Sequence, residues 1–236
     1  MGIKKPEGRI FLIADTHFGD ENIRLYEERP FPDTNTMDRE MIKRWNSVVG
    51  DNDIVYHLGD FCSGGEDRCR ELLSQLNGHK RLIIGNHDTR LTPQQWRDLG
   101  FEECYDVPVL LEKFFILSHE PLYVCRSMPY ANIFGHIHNN PSYRPISCRS
   151  ACVSVERLDY TPVELDLIKS KMLEAEKGGQ QAGALSPFGG VSRPGPCHLS
   201  GGDSRPGPCH LLGFHTSFYS KSSGRCSFIG SRSFIL

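Results

Sequence analysis

Five short motifs hold most of the residues in this chain that could do chemistry. They are Asp15-Thr16-His17, Gly59-Asp60, Gly85-Asn86-His87-Asp88, Ser118-His119 and Gly135-His136-Ile137-His138. Each follows a short apolar run, where a strand should end, and strand ends are where α/β enzymes hold their reactive groups. The motifs contain no Cys, so a thiolate site is not expected. Carboxylate, imidazole and amide ligands suit Mn²⁺, Fe or Zn²⁺ rather than Cu(I) or an iron–sulfur cluster. Two ions roughly 3.5–4 Å apart need a ligand that reaches both, and a carboxylate has two oxygens for that. Asp60 is the best candidate for the bridge, because it stands alone between two richer motifs. Asp15 and His17 are two positions apart, and strand alternation would turn both to one face. His136 and His138 repeat that spacing.

The ordered set resembles the calcineurin-like metallophosphoesterase superfamily, whose pattern is D-x-H, G-D, G-N-H-[DE], H and G-H-x-H. All five elements are present in order, with no substitution at a ligand position. The stretch FLIADTHFGDENIRLYEERPF, followed by VYHLGDF and LIIGNHD, is similar to a small bacterial and phage-type branch of phosphoesterases. The resemblance covers residues 8–177. It implies that Asp15, His17 and His138 bind a first metal, and that Asn86, His119 and His136 bind a second, with Asp60 between them. It also implies a water shared by the ions and deprotonated near neutral pH, which attacks phosphorus in line. His87 would face the substrate and protonate the leaving oxygen or stabilise charge there, with Asp88 either orienting it or serving as a surface or helix-capping residue. One position departs from the pattern: Asp20 stands where similar sequences carry a His.

The implied cofactors are two divalent ions, Mn²⁺ first, with Fe, Zn²⁺, Co²⁺ or Ni²⁺ as alternatives, since such sites accept several ions. The implied reaction is hydrolysis of a phosphodiester or phosphomonoester, with a small phosphorylated or nucleotide-type substrate as the expected partner. A nuclease acting on DNA or RNA ends would use the same centre. A scaffold that has lost catalysis would be expected to have lost ligands, and here the set is complete.

Composition narrows the partners. The net charge is −2 over 236 residues. From Gly178 onward five Lys/Arg face one Asp, so that segment carries +4 and leaves −6 on the rest. A body at −6 lacks the footprint of a protein that grips long nucleic acid. The N-terminus has only a very short apolar run, which is not a signal peptide, and no run approaches membrane-spanning length. The expected location is cytoplasmic, where the nine cysteines should be free thiols, with Cys62, Cys69, Cys104, Cys125, Cys148 and Cys152 serving as small buried or half-buried residues. Nothing in the sequence sets the oligomeric state.

The elements that must position the motifs follow from local pattern. Residues 9–14, 53–58 and 80–84 read as strands leading into Asp15, Asp60 and Asn86. Residues 37–49 read as an amphipathic helix capped by Thr36, and 66–76 as a second helix. Thr92-Pro93 starts a short helix through Leu99. Residues 101–111 and 113–117 read as two strands that deliver His119, and 152–158 as a last strand. Thr161-Pro162-Val163-Glu164 has the form of a helix N-terminus, with Gly178-Gly179 ending that helix. The predicted architecture is α/β: two packed mixed sheets flanked by helices, over residues 1–177. No gap between motifs can hold a second domain, so the site should be open and shaped by loops such as 18–35. His57 reads either as a core histidine or as support for a ligand.

Residues 178–236 differ in character. They are rich in Gly, Ser, Pro and Arg, and SRPGPCHL occurs twice, at residues 192–199 and 204–211. Two repeats cannot build a solenoid. The segment is expected to be a disordered tail; a zinc site from Cys197, His198, Cys209 and His210, and an unselected extension, are the alternatives.

Overall fold

The computed structural model describes residues 8–125, 127–143 and 146–184, with side chains as far as Lys177. Two mixed sheets form the body. The first contains β1 (Ile10–Ile13), β2 (Ile54–His57), β3 (His79–Ile83), β4 (Glu103–Tyr105) and β9 (Val163–Glu164), in the order β4-β3-β2-β1-β9. Its first four strands are parallel, and β9 pairs antiparallel with β1 at the edge. The second contains β5 (Val109–Leu111), β6 (Phe115–Leu117), β7 (Ala131–Phe134) and β8 (Ser150–Cys152), in chain order. There β6, β7 and β8 are parallel, and β5 closes the edge as a hairpin with β6.

Strand alternation divides the core in two. Phe11 and Ile13 of β1, Val55 of β2 and Leu82 of β3 point to one face, against Met37, Met41 and Trp45 of α2 (Thr34–Val48), Leu72 and Leu73 of α3 (Glu66–Gln75) and Trp96 of α4 (Pro93–Leu99). Leu12, Ala14, Tyr56 and Ile83 point to the other face, where Leu117, Ile133 and Ala151 of the second sheet meet them. Leu165, Ile168 and Met172 of α5 (Leu165–Ala184) close that second core. The expected arrangement of two packed mixed sheets with flanking helices is therefore the observed one.

Several local expectations are corrected. The helix expected from Met37 begins at Thr34, because the Asp33 side chain caps it by accepting the Thr36 N–H at 2.7 Å. The strand expected over 101–111 is split between the two sheets. Pro108, which has no N–H for a ladder, lies in the crossover between β4 and β5. The strand expected over 152–158 stops at Cys152. The chain then leaves the second sheet and pairs with the end of β1, through Ala14 N–H to Val153 O at 2.9 Å and Val155 N–H to Ala14 O at 3.1 Å. A single 3-10 turn at Val155–Arg157 follows. Val163 and Glu164 are strand rather than helix cap, and α5 runs through Gly178-Gly179 to Ala184. Thr92 forms the expected cap of α4, as a capping box with Gln95.

Cys62 and Cys69 are joined as a disulfide, which corrects the reading of both as free thiols. The compartment argument built on free thiols loses these two residues. Cys104, Cys125, Cys148 and Cys152 are free, Cys104 and Cys152 being buried. Among the described residues no helix is long and apolar enough to cross a membrane. The first seven residues of the expected tail continue α5 to Ala184; the rest of it, with the repeat and the candidate zinc ligands, lies outside the described residues.

Candidate metal centre

The C-terminal ends of five parallel strands converge on one place. Asp15 and His17 follow β1, Asp60 follows β2, Asn86 and His87 follow β3, His119 follows β6, and His136 and His138 follow β7. Strand alternation does not aim them, contrary to expectation, because each strand ends before its motif. Asp15, His17, Asp60, His136 and His138 all adopt left-handed backbone, with φ of 59°, 45°, 58°, 69° and 45°. Such conformations are costly for residues with a Cβ, and they persist where the surroundings over-determine them, as at ligand-binding sites.

The surroundings that hold them are visible. Asp15 accepts the His136 N–H at 2.9 Å, tying the first motif to the last. Asp60 Oδ1 accepts the His87 N–H at 2.9 Å. Two motif glycines are required by close approach: a Cβ on Gly85 would overlap Asp60 Oδ1, and one on Gly59 would overlap the His119 ring. The Thr16 hydroxyl donates to Phe61 O at 2.7 Å, so it accepts from His57 Nε2 at 2.9 Å. His57 is fully buried, and burial pushes its pKa down to about 3. It is thus a neutral core residue that supports the loop between Asp15 and His17.

Among the described residues no hydrogen bond joins Asp88 to His87. The buried Asp88 carboxylate accepts three backbone N–H groups, from Asp60 at 2.7 Å, Phe61 at 3.0 Å and Gly85 at 3.0 Å. Burial pushes its pKa up, against the pull of those donors. Asp88 is therefore the anchor of the loop that carries Asp60. The His87 ring is exposed and meets the His17 ring edge-on, with centroids 5.1 Å apart. Asp20, the departing position, caps the short helix α1 (Glu21–Tyr26) and accepts the Ser63 hydroxyl at 2.6 Å. Its other neighbour is His17 Nδ1, at 3.8 Å.

Two groups of ligating atoms match the expected sets, Asp15 with His17 and His138, and Asp60 with His119 and His136; Glu27 and Glu156 form a third with His138. Asn86 joins the second, its Oδ1 lying 2.9 Å from His119 Nε2 and 3.0 Å from His136 Nδ1. Asp60 Oδ2 reaches both groups, 3.3 Å from His119 Nε2 and 3.5 Å from His17 Nε2. The chemistry of these atoms fits a cation. His119 donates from Nδ1 to Leu58 O at 2.7 Å, which leaves its Nε2 to face Asp60, Asn86 and His136 with either a proton or an ion on it. His17 Nε2 is buried with no hydrogen-bond partner among the described residues. Acceptors facing acceptors repel unless a proton or a metal ion lies between them. Burial acts to lower the His119 pKa, but Asp60, Asp15 and the Leu58 carbonyl together outweigh it and raise it to about 9. Burial likewise acts to raise Asp60, and the adjacent imidazoles of His119 and His17 hold it well below the usual carboxylate range. An ion entering this cradle replaces a proton, which couples its affinity to pH.

Sequence reasoning missed Arg29 and Glu156. The Arg29 guanidinium is buried beneath the first motif and donates to the carbonyls of Asp15 and Thr16, both at 2.7 Å. It also pairs with Glu156 Oε1 at 2.6 Å, and Glu156 Oε1 lies 3.0 Å from His138 Nδ1. Burial acts to raise Glu156, while His138 and Arg29 hold it below its usual range. The only signal in the sequence is the charged pair Glu156-Arg157 set between apolar Val155 and Leu158.

Beside the centre lies an open cleft of about 810 Å³, lined by Tyr26, Glu27, Glu120, His136, His138 and Tyr143 among others.

A two-sheet α/β body with a His/Asp/Asn cluster at its strand ends defines a metallophosphoesterase domain. The calcineurin-like phosphoesterase family matches residues 8–168, and the chain belongs to that family. It is 39% identical over 178 residues to the uncharacterized protein MJ1445 of Methanocaldococcus jannaschii, covering 72% of this chain and 93% of that one. It is 42% identical over 82 residues to the gene 66 protein of Mycobacterium phage L5, covering 33% of this chain and 39% of the phage protein. Its structure resembles that of AQ665 from Aquifex aeolicus, a protein of unknown function. The TM-score is 0.54 at 26% identity, over 70% of this chain and 99% of that one.

Proposed function

We propose that this protein hydrolyses phosphoesters with two divalent ions, Mn²⁺ first among the candidates, and that its substrate is a small or nucleotide-type phosphodiester or phosphomonoester. The observation that carries the reading is the position of Asp60, whose Oδ2 lies within 3.5 Å of a histidine from each ligand group. Asp15, His17 and His138 would hold one ion, and Asn86, His119 and His136 the other, with Asp60 shared. Bound divalent ions supply a nucleophilic water at neutral pH and positive charge for the phosphoryl oxygens. The chain's own residues orient and exclude. Asp88 holds the Asp60 loop, His57 holds Thr16, and His87 stands exposed beside His17, free to deliver a proton to a leaving oxygen. Glu27 and Glu120 place negative charge in the cleft wall, which supports a small substrate over a polyanionic strand.

The test is hydrolysis of bis-p-nitrophenyl phosphate and p-nitrophenyl phosphate by Mn²⁺-loaded protein, with Asp60→Asn alongside. Turnover by the parent and its loss in the variant is the expected result, and the ratio of the two rates reports diester against monoester preference. No turnover by the parent with Mn²⁺, Fe²⁺, Co²⁺ or Zn²⁺, or full activity in Asp60→Asn, would overturn the reading.

A further inference from the structure

We infer that Arg29 and Glu156 are positioning residues dedicated to the first ion's ligand group; this rests on the two-ion reading above. The pair is buried, with side-chain exposures of 0% and 4%, and joins positions 127 residues apart. A buried ion pair is weak evidence for stability, because desolvation offsets much of the attraction. What distinguishes this one is the company it keeps. Arg29 Nη1 and Nη2 donate to the carbonyls of Thr16 and Asp15. Asp15 is in left-handed backbone just past the end of β1. The guanidinium fork clamps that turn from below, fixing where Asp15 and His17 project.

Glu156 acts on the third member of the group. A carboxylate bound by Arg29 only accepts, so His138 donates to it from Nδ1. That leaves Nε2 as the ring nitrogen free for an ion, on the histidine grouped with Asp15 and His17. One buried pair thus touches the first group through His138 and through the backbone of Asp15 and Thr16. No hydrogen bond joins either residue to Asp60, Asn86, His119 or His136 among the described residues. The second group has a separate device: His119 donates its Nδ1 proton to a backbone carbonyl, that of Leu58. Apart from the shared Asp60 and the His136 N–H to Asp15 contact, the two halves of the centre are held by separate contacts, so the first ion should respond to mutation of this pair far more than the second.

The experiment is titration of Mn²⁺ into metal-stripped full-length protein, followed by calorimetry and by the EPR signal of unbound Mn²⁺, for the parent, Glu156→Gln and Arg29→Lys. The parent should take up two ions. Glu156→Gln keeps the volume but weakens the fixed acceptor, and should lower the affinity of one ion by about 10–100-fold while the other changes much less. Arg29→Lys keeps the charge but loses the fork, and should weaken the same ion. Both affinities unchanged, or both lowered equally, would overturn the inference. A parent that binds fewer than two ions would instead overturn the two-ion reading. Because a variant at a buried pair can fail to fold, ¹⁵N shifts of the histidine rings in Zn²⁺-loaded parent give a readout without mutation. His138 protonated at Nδ1 and metal-bound at Nε2 is expected; the reverse assignment would overturn the inference.

Discussion

Replacing Asp88 by Asn separates two roles that the motif alone leaves open. If Asp88 tuned His87 as a proton donor, the variant would lose turnover and keep its stability. The structure requires the opposite order of effects. Asp88 Oδ2 accepts the N–H groups of Asp60 and Gly85, and Oδ1 accepts that of Phe61. An asparagine can keep its carbonyl oxygen at the first position and retain two of these bonds. Its NH₂ then faces the Phe61 N–H, a donor against a donor, in a site with no solvent exposure. Leaving a buried donor unsatisfied costs about 1–3 kcal/mol, and here both the Phe61 N–H and one amide hydrogen lose their acceptor. Burial raises the Asp88 pKa, so the neutral amide recovers part of the desolvation of the charge. The expected net loss is about 2–4 kcal/mol at pH 7, read by urea denaturation of metal-free parent and variant. Because Asp60 rides on the same loop, weaker metal uptake should accompany it. A loss below about 0.5 kcal/mol, with metal uptake unchanged, would refute the anchoring role.

Other perturbations address other links. His87→Ala should retain metal uptake but lower turnover by about 10²–10⁴, with the smallest loss on p-nitrophenyl esters, whose leaving group needs no proton; unchanged kcat on an alkyl ester would exclude the proton-donor role. The fold depresses the His57 pKa to about 3 from its ordinary value of 6.5, so the unfolded chain binds the extra proton. Stability from this residue is full above about pH 6.5 and falls as pH drops toward 3, by up to about 1.4 kcal/mol per pH unit. The difference between parent and His57→Gln unfolding curves over that range measures it, and parallel curves would contradict the assignment. Reducing the Cys62–Cys69 disulfide, which closes a loop of sequence separation 7, should lower stability by about 2–3 kcal/mol on a chain-entropy argument. Alkylation of both thiols before any reductant is added would show that the bond is not formed.

The sequence by itself determined the ligand types, their order along the chain and the family. Asp, His and Asn side chains interspersed with glycines admit few chemistries, and apolar runs before each motif marked strands that could bring them together. It also determined the two-layer architecture, because periodicity and capping residues such as Thr92 act over a few neighbours. It misled where long-range pairing outweighed local preference. Val163 and Glu164 look like a helix start yet complete a sheet edge, because β1 offers them an unpaired backbone. Asp15 and His17 share an i, i+2 spacing, yet turn geometry rather than strand alternation aims them. The assignment of Asp88 as loop anchor, the support of Thr16 by His57 and the pairing of Arg29 with Glu156 were decided only by the tertiary structure. Each depends on hydrogen bonds between residues 27 to 127 positions apart, a separation over which no local spacing carries information. Burial then makes those bonds strong and obligatory, since a charge or donor cut off from water must find its partner inside the fold.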